Sequence, residues 1–441
     1  MRPHAGDIPL AQVATRRVRR PGFPWIFAMW MAVSAAISVC AGLVLGLLAA
    51  LETGYGLDRW TQSVQAHGRL QLWAFAGVFI VALAFEFLVR MNGRQPFSLW
   101  LRIGVPAGLA GGGLLQAAGQ LWYDQADFLG PIGGVVMLAA SGAFAVAVVR
   151  VKPPHSLKLD PQPWFVWFAG GWLVTASAMA LIASLNWEMG TALPAESHLV
   201  AEVFLRGFLL QVILAIGPRA LGGHMGLPLI DARKQIFLLV TVNAGTALWV
   251  AGQDVWVLPG AFMLVRVADI ALGVALLLLT YWLRIFSNLK RRYRGERYEW
   301  AAPIAWLGAV IYAATLVLVR LAPAGDELNL YQEGAIRHIF LLGFVLPLML
   351  AMAHIVLARF GAGYIPWQNL LTAGFLLLVA AWPLRVIPAL AGDAPGDAAQ
   401  GAMALAGVLA MAALGLTAAV CIRTAIITGR PIQQIMRAMP G

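Results

Sequence analysis

The chain of 441 residues is 61% hydrophobic and 12% charged, with a mean hydropathy of +0.78. A soluble domain cannot hide that much apolar surface, so the composition excludes a soluble enzyme and implies a polytopic membrane protein. The net charge of +11 would suggest nucleic acid in a soluble protein; here it reads as a set of membrane-anchoring charges, with no nucleic-acid partner.

A basic, polar arm over 1–23 opens the chain and contains Thr15-Arg16-Arg17-Val18-Arg19-Arg20-Pro21. The apolar run after it has no small-residue cleavage site, which predicts a retained first helix and not a signal peptide. Segments long enough to cross a bilayer follow at 24–51, 65–89, 99–122, 128–150, 163–185, 196–218, 234–252, 258–286, 302–321, 335–357, 366–390 and 400–427. At about 20 apolar residues per span, these make an all-α polytopic protein of twelve transmembrane helices in one domain, 24–428, with a tail over 429–441. The last segments are rich in Ala and Gly, which suits close helix packing in lipid. Cys40 and Cys421 fall inside apolar segments and provide neither a disulfide framework nor a Cys-rich metal motif.

Charge sets the expected orientation. With the N-terminus in the cytoplasm, 24 of the 31 Lys and Arg residues lie on the inner side, five of them in the N-terminal arm and six from Arg284 to Arg297. Twelve of the 20 acidic residues, among them Asp124, Asp127, Glu188, Asp326 and Glu327, fall on the opposite side. This follows the positive-inside rule and predicts both termini in the cytoplasm of a bacterium, with the chain in its inner membrane.

Helices two, six and ten then run from outside to inside, and His67, His198 and His338 lie in their opening turns. The histidines are separated by 131 and 140 residues, four spans in each interval, and each is followed by a glycine within an apolar run: Gly77-Val78-Phe79, Gly207-Phe208-Leu209 and Gly343-Phe344-Val345. This suggests three four-helix units around a pseudo-threefold axis. Intramembrane imidazoles are costly and mark functional sites, although any one of them alone reads as an interfacial histidine bonded to a carbonyl. Neutral imidazole is a strong ligand for haem iron and copper. A haem between two helices needs one histidine from each at matching depth; His67 and His338 satisfy this, and His198 matches them, so depth alone leaves the pair open.

Helix six adds Glu202 and Arg206, four and eight residues after His198 and so on one helical face. Glu202 reads as a partner holding the His198 tautomer or relaying protons, and Arg206 as a partner of a haem propionate; the pair also reads as self-neutralising. Arg266 and Asp269 on helix eight read as a self-compensating pair. Arg337, Arg69 and Arg385 lie towards the outer side, where propionates need cations, with snorkelling to lipid headgroups as the alternative for Arg69. Glu86, 19 residues after His67, is about 28 Å further along the helix and belongs to the inner half. His354, His224, His4 and His155 read as solvated inner-side histidines. There is no P-loop, dinucleotide fingerprint, HExxH or CxxCH motif.

Several short motifs resemble NnrS proteins. Gln65-Ala66-His67-Gly68-Arg69, followed by Arg90-Met91-Asn92-Gly93-Arg94-Gln95-Pro96, resembles their helix two with its His-Ala-His-Glu-Met-like opening and Gly-Arg-Pro-like turn. Ile216-Gly217-Pro218-Arg219 is similar to the turn ending their helix six, Arg337-His338-Ile339-Phe340-Leu341-Leu342-Gly343 to their helix-ten segment, and Pro383-Leu384-Arg385-Val386-Ile387-Pro388 to their helix eleven. The resemblance implies a membrane protein with haem of b type, and room for copper, that acts in nitric oxide response and denitrification. Its layout is distantly like the catalytic subunit of haem-copper oxidases. By position, His67 takes the place of the second helix-two histidine and His338 that of the helix-ten histidine, with Arg385 near the propionates. Gln65 and Gly68 depart from the motif, and the polar residues of helix seven are Thr241, Asn243 and Thr246, with no histidine. A dioxygen-reducing binuclear centre is thereby excluded, and His198 is the spare metal ligand.

The expected partners are membrane lipid, a small diatomic gas and an electron donor that the sequence does not name. The competing readings are a proton-coupled secondary transporter using Glu202, Arg206, Arg266 and Asp269, and an assembly factor without turnover. A transporter of the common type predicts two related six-helix halves; the histidine spacing predicts four-helix units instead.

Overall fold

In lipid every backbone amide must find its partner within its own segment or a closed sheet, and each long apolar stretch of this chain forms a helix. The computed structural model describes residues 25–51, 59–91, 96–151, 160–253, 260–287, 300–322, 328–361, 366–391 and 396–438. The N-terminal arm, His4, His155, Asp326, Glu327 and the basic loop over 288–299 lie outside the described residues. The twelve long helices are α1 (Trp25–Ala50), α2 (60–91), α3 (Leu99–Leu121), α4 (Leu129–Val149), α5 (Gln162–Leu185), α6 (194–225), α7 (Ala232–Ala251), α8 (Ala261–Leu283), α9 (Ala301–Leu321), α10 (330–361), α11 (Gln368–Leu390) and α12 (Asp397–Ala438). Apart from an isolated bridge between Glu188 and Thr191, the described residues hold no β structure. The protein is all-α and membrane-embedded.

Eleven of these helices are both long and apolar enough to cross a membrane on their own. The exception is α3, whose 23 residues include Arg102, Gly111-Gly112-Gly113, Gln116 and Gln120. Its 23 residues are long enough to span, and Gln116 and Gln120 are fully buried, so packing supplies what its composition lacks. The α12 helix continues to Ala438, past the apolar segment that the sequence marks as ending at 427.

Three of the helices are internal. Every residue in the apolar window of α2 is buried, as are 94% and 89% of those in α6 and α10, against 33–50% for the other eight. A helix that is apolar all round belongs in the interior, and α2, α6 and α10 are of this kind. The remaining helices close a ring around them. The third and fourth helices of each unit pair (α3 with α4, α7 with α8, α11 with α12), and each unit meets the next through α4 on α5, α8 on α9 and α12 on α1. This is the four-plus-four-plus-four arrangement.

The three inner helices share an irregularity. Each passes from α into π geometry shortly after its histidine, over Leu70–Gly77 in α2, Val203–Leu209 in α6 and Ile339–Val345 in α10. In every unit the first and third helices pack on that π segment. π turns are rare and concentrate at functional sites. Here they also carry close contacts: Trp73 meets Phe204 at 4.7 Å between α2 and α6, and Tyr312 meets Phe340 at 4.8 Å between α9 and α10. Gly308 faces the backbone of Gly343 so closely that a Cβ at 308 has no room.

Candidate functional site

The opening turns of α2, α6 and α10 gather at one face of the bundle, as the sequence predicts, but they border two cavities. His67 and His338 both line the first, of about 260 Å³, between α2 and α10 and bounded by α1, α11 and α12. His198 lines the second, of about 470 Å³, at the start of all three inner helices. Trp60, Val64, Gly68, Leu72 and Arg337 are common to both walls.

The two imidazoles of the smaller cavity are held alike. His67 Nδ1 lies 2.6 Å from the Gly42 carbonyl of α1, and His338 Nδ1 2.6 Å from Gly334 O, one turn earlier in its own helix. Each contact makes Nδ1 the protonated nitrogen and leaves the Nε2 lone pair free. Gly42 ends a π segment, Ser38–Gly42, where the hydrogen-bond ladder changes register and carbonyls lose their regular partners. Gly46, one turn on, clears space for the ring: a Cβ there would stand 2.6 Å from His67 Nδ1. Arg385 of α11 is close enough to interact electrostatically with both imidazoles, and the imidazoles with each other. Its Nη1 lies 2.9 Å from Met403 Sδ, and no carboxylate is paired with it among the described residues. The floor is apolar, with Leu43, Phe75, Leu341 and Leu414.

A group held between α2 and α10 by two imidazoles needs both Nε2 atoms free, a tautomer fixed through Nδ1, an apolar bed and a cation for its acidic edge. His67, His338 and Arg385 meet these needs, so the donor set fits haem. Among the described residues no group of three or more His, Cys, Asp or Glu is placed to hold a metal ion.

The other expected site residues are committed elsewhere. His198 Nδ1 meets both the Arg337 guanidinium and Glu333 Oε2, the latter at 3.1 Å, and its ring lies 5.3 Å from that of Trp249. Arg206, expected beside a propionate, lines neither cavity; it is buried between Glu202 at 2.8 Å and Asp269, beneath which Trp249 packs. The spacing of Glu202 and Arg206 was sufficient to read their pairing, since i and i+4 share a face. Asp269 binds Arg206 and Arg320, the latter at 2.7 Å, while Arg266 lies over the Phe262 ring. Arg337 bonds Glu202 at 3.1 Å and Glu333 at 3.4 Å. One network thus ties α6, α8, α9 and α10 together.

Two expectations change. Arg69 does not snorkel: it is 3% exposed and lies over the Trp73 ring at 5.5 Å. His354 is not solvated: it is 1% exposed, with Nδ1 on Leu350 O and Nε2 3.6 Å from Cys421 Sγ. His224 falls in the last turn of α6. At the far end of α2, Glu86 pairs with Arg90 at 3.1 Å and with Arg102, well away from His67 as its spacing requires. Sequence reasoning missed Gly42 and Gly46, for which apolar glycine-containing segments give no signal.

No protein-family model matches the chain, and no curated protein matches it significantly.

Proposed function

We propose that the chain is a haem-binding integral membrane protein of the NnrS type, acting in nitric oxide response from the inner membrane of a bacterium. The observation that carries this reading is the matched pair His67 and His338, which face one cavity with Nδ1 tied to a carbonyl and Nε2 free. When bound, haem of b type supplies a one-electron couple or a place for a small diatomic.

In this reading His67 and His338 would hold the iron, and the carbonyls of Gly42 and Gly334 keep both imidazoles in the tautomer that leaves Nε2 free. Arg385 would balance a propionate, a role open to it because no carboxylate is paired with it among the described residues. Leu43, Phe75, Leu341 and Leu414 exclude water. With both imidazoles serving as ligands, electron transfer to an outside partner would be the simplest chemistry such a group could supply.

The test is the absorption spectrum of the detergent-purified protein after expression with haem supplied. A Soret band is expected, lost in His67→Ala and in His338→Ala. A folded, colourless protein would overturn the reading. Consumption of nitric oxide by the reduced protein separates turnover from storage.

The buried Glu202–Arg206–Asp269 network is the observation that favours a proton-coupled transporter instead. Substrate-driven proton movement into vesicles by a cofactor-free protein would select that reading.

A further inference from the structure

The larger cavity carries an excess of hydrogen-bond donors that the imidazole pair does not use. Arg69 lines this cavity, is 3% exposed, and neither of its Nη atoms has a hydrogen-bond partner. Trp73, on whose ring the guanidinium lies, and Trp249 line it too, each with an indole N–H that meets no acceptor. The other two arginines of the wall are balanced, Arg320 by Asp269 at 2.7 Å and Arg337 by Glu202 and Glu333 at 3.1 and 3.4 Å. Among the described residues Glu333 is the wall's one carboxylate, and Arg337 and His198 already occupy it. Among the described residues the wall is therefore left with one positive charge in surplus, that of Arg69.

A buried guanidinium without an anion is costly, and the cost is relieved when an acceptor arrives. The backbone adds to the field: α2 and α6 begin here with no side-chain cap, and Trp60, Thr61, Pro194 and Ala195 of their first turns line the space. Unsatisfied N–H groups at helix starts favour negative charge. The shape narrows the class of ligand. At about 470 Å³ the cavity exceeds the needs of an inorganic oxyanion, and Trp60, Trp73, Trp249 and Phe262 give it an aromatic side. A planar guanidinium fork matches a carboxylate, and an aromatic wall matches an apolar body.

We infer that this cavity binds a small organic carboxylate, with its charge on Arg69 and its apolar body against the tryptophans. The inference does not rest on haem binding. Gly68, whose Cβ position is open, belongs to both cavity walls and lies between His67 and Arg69 in α2.

Titration calorimetry of the full-length protein with benzoate, with its neutral isostere benzamide, and with nitrate tests this. Benzoate is expected to bind saturably and at least about tenfold more tightly than benzamide, the ratio a charge-assisted hydrogen bond supplies. Arg69→Gln should bring that ratio close to one, and Arg69→Lys, which keeps the charge without the planar fork, should retain part of it. The preference should persist in His67→Ala, so failure of the haem reading leaves it untouched. Equal binding of benzoate and benzamide by the unaltered protein, nitrate binding as tight as benzoate, or a ratio that Arg69→Gln leaves unchanged would each overturn the inference. The comparison in the unaltered protein requires no variant to fold.

Discussion

Around α6 the charges are closed upon one another: Arg206 sits between Glu202 and Asp269, Asp269 also takes Arg320, and Glu202 also takes Arg337. Between α2 and α10 the polar atoms stay open: two imidazoles keep Nε2 free, and among the described residues Arg385 bonds the Met403 thioether and no carboxylate. Both regions lie among the same inner helices. The closed network joins four helices and has no valence left for a ligand. The open pair contributes little to holding helices together, and its free lone pairs suit an incoming group. Ionisable residues in a membrane interior therefore mark two different things here, and the test is whether their partners are protein atoms.

The largest effect expected from this contrast is on stability. Asp269→Ala removes the carboxylate that two guanidinium groups share at 1% exposure, leaving buried charge behind at about 3–5 kcal/mol. A markedly lower melting temperature in detergent is the readout; an unchanged one would mean that the network is not structural. Next comes Gly46→Val, which places side-chain atoms where the His67 ring now lies, an overpacking cost of about 1–3 kcal/mol. Haem content per protein should fall with it, although no ligand is replaced. Smaller again is the stability cost of His338→Ala, about 1 kcal/mol in the cofactor-free protein, despite complete loss of the Soret band. A large drop in melting temperature for this variant without haem would erase the distinction between the two regions. The smallest effect belongs to Arg385→Gln. Removing one cation beside the imidazoles should lower the midpoint potential by about 1 kcal/mol, or roughly 40 mV, in a potentiometric titration.

The helices and their grouping were legible because lipid imposes local rules. Runs of about 20 apolar residues become helices wherever they occur, and the four-span spacing of His67, His198 and His338 anticipates the three units. The Glu202–Arg206 pair was legible for a similar reason, being internal to one helix. Asp269 was misjudged because its partners, Arg206 and Arg320, come from α6 and α9, and spacing within α8 says nothing about them. Arg69 was misjudged because its place near a span end suggests headgroups, whereas α2 is enclosed on all sides.

By itself the sequence determined that the protein is helical, membrane-embedded and marked by three histidines at the starts of its second, sixth and tenth helices. Only the tertiary structure decided that His67 and His338 share a cavity while His198 faces another. The physical reason is helix rotation. An inner helix that is apolar all round carries no hydrophobic stripe to fix which side faces which neighbour, and each π segment adds its own turn to that rotation. The azimuth of each histidine is set by packing against helices distant in the chain.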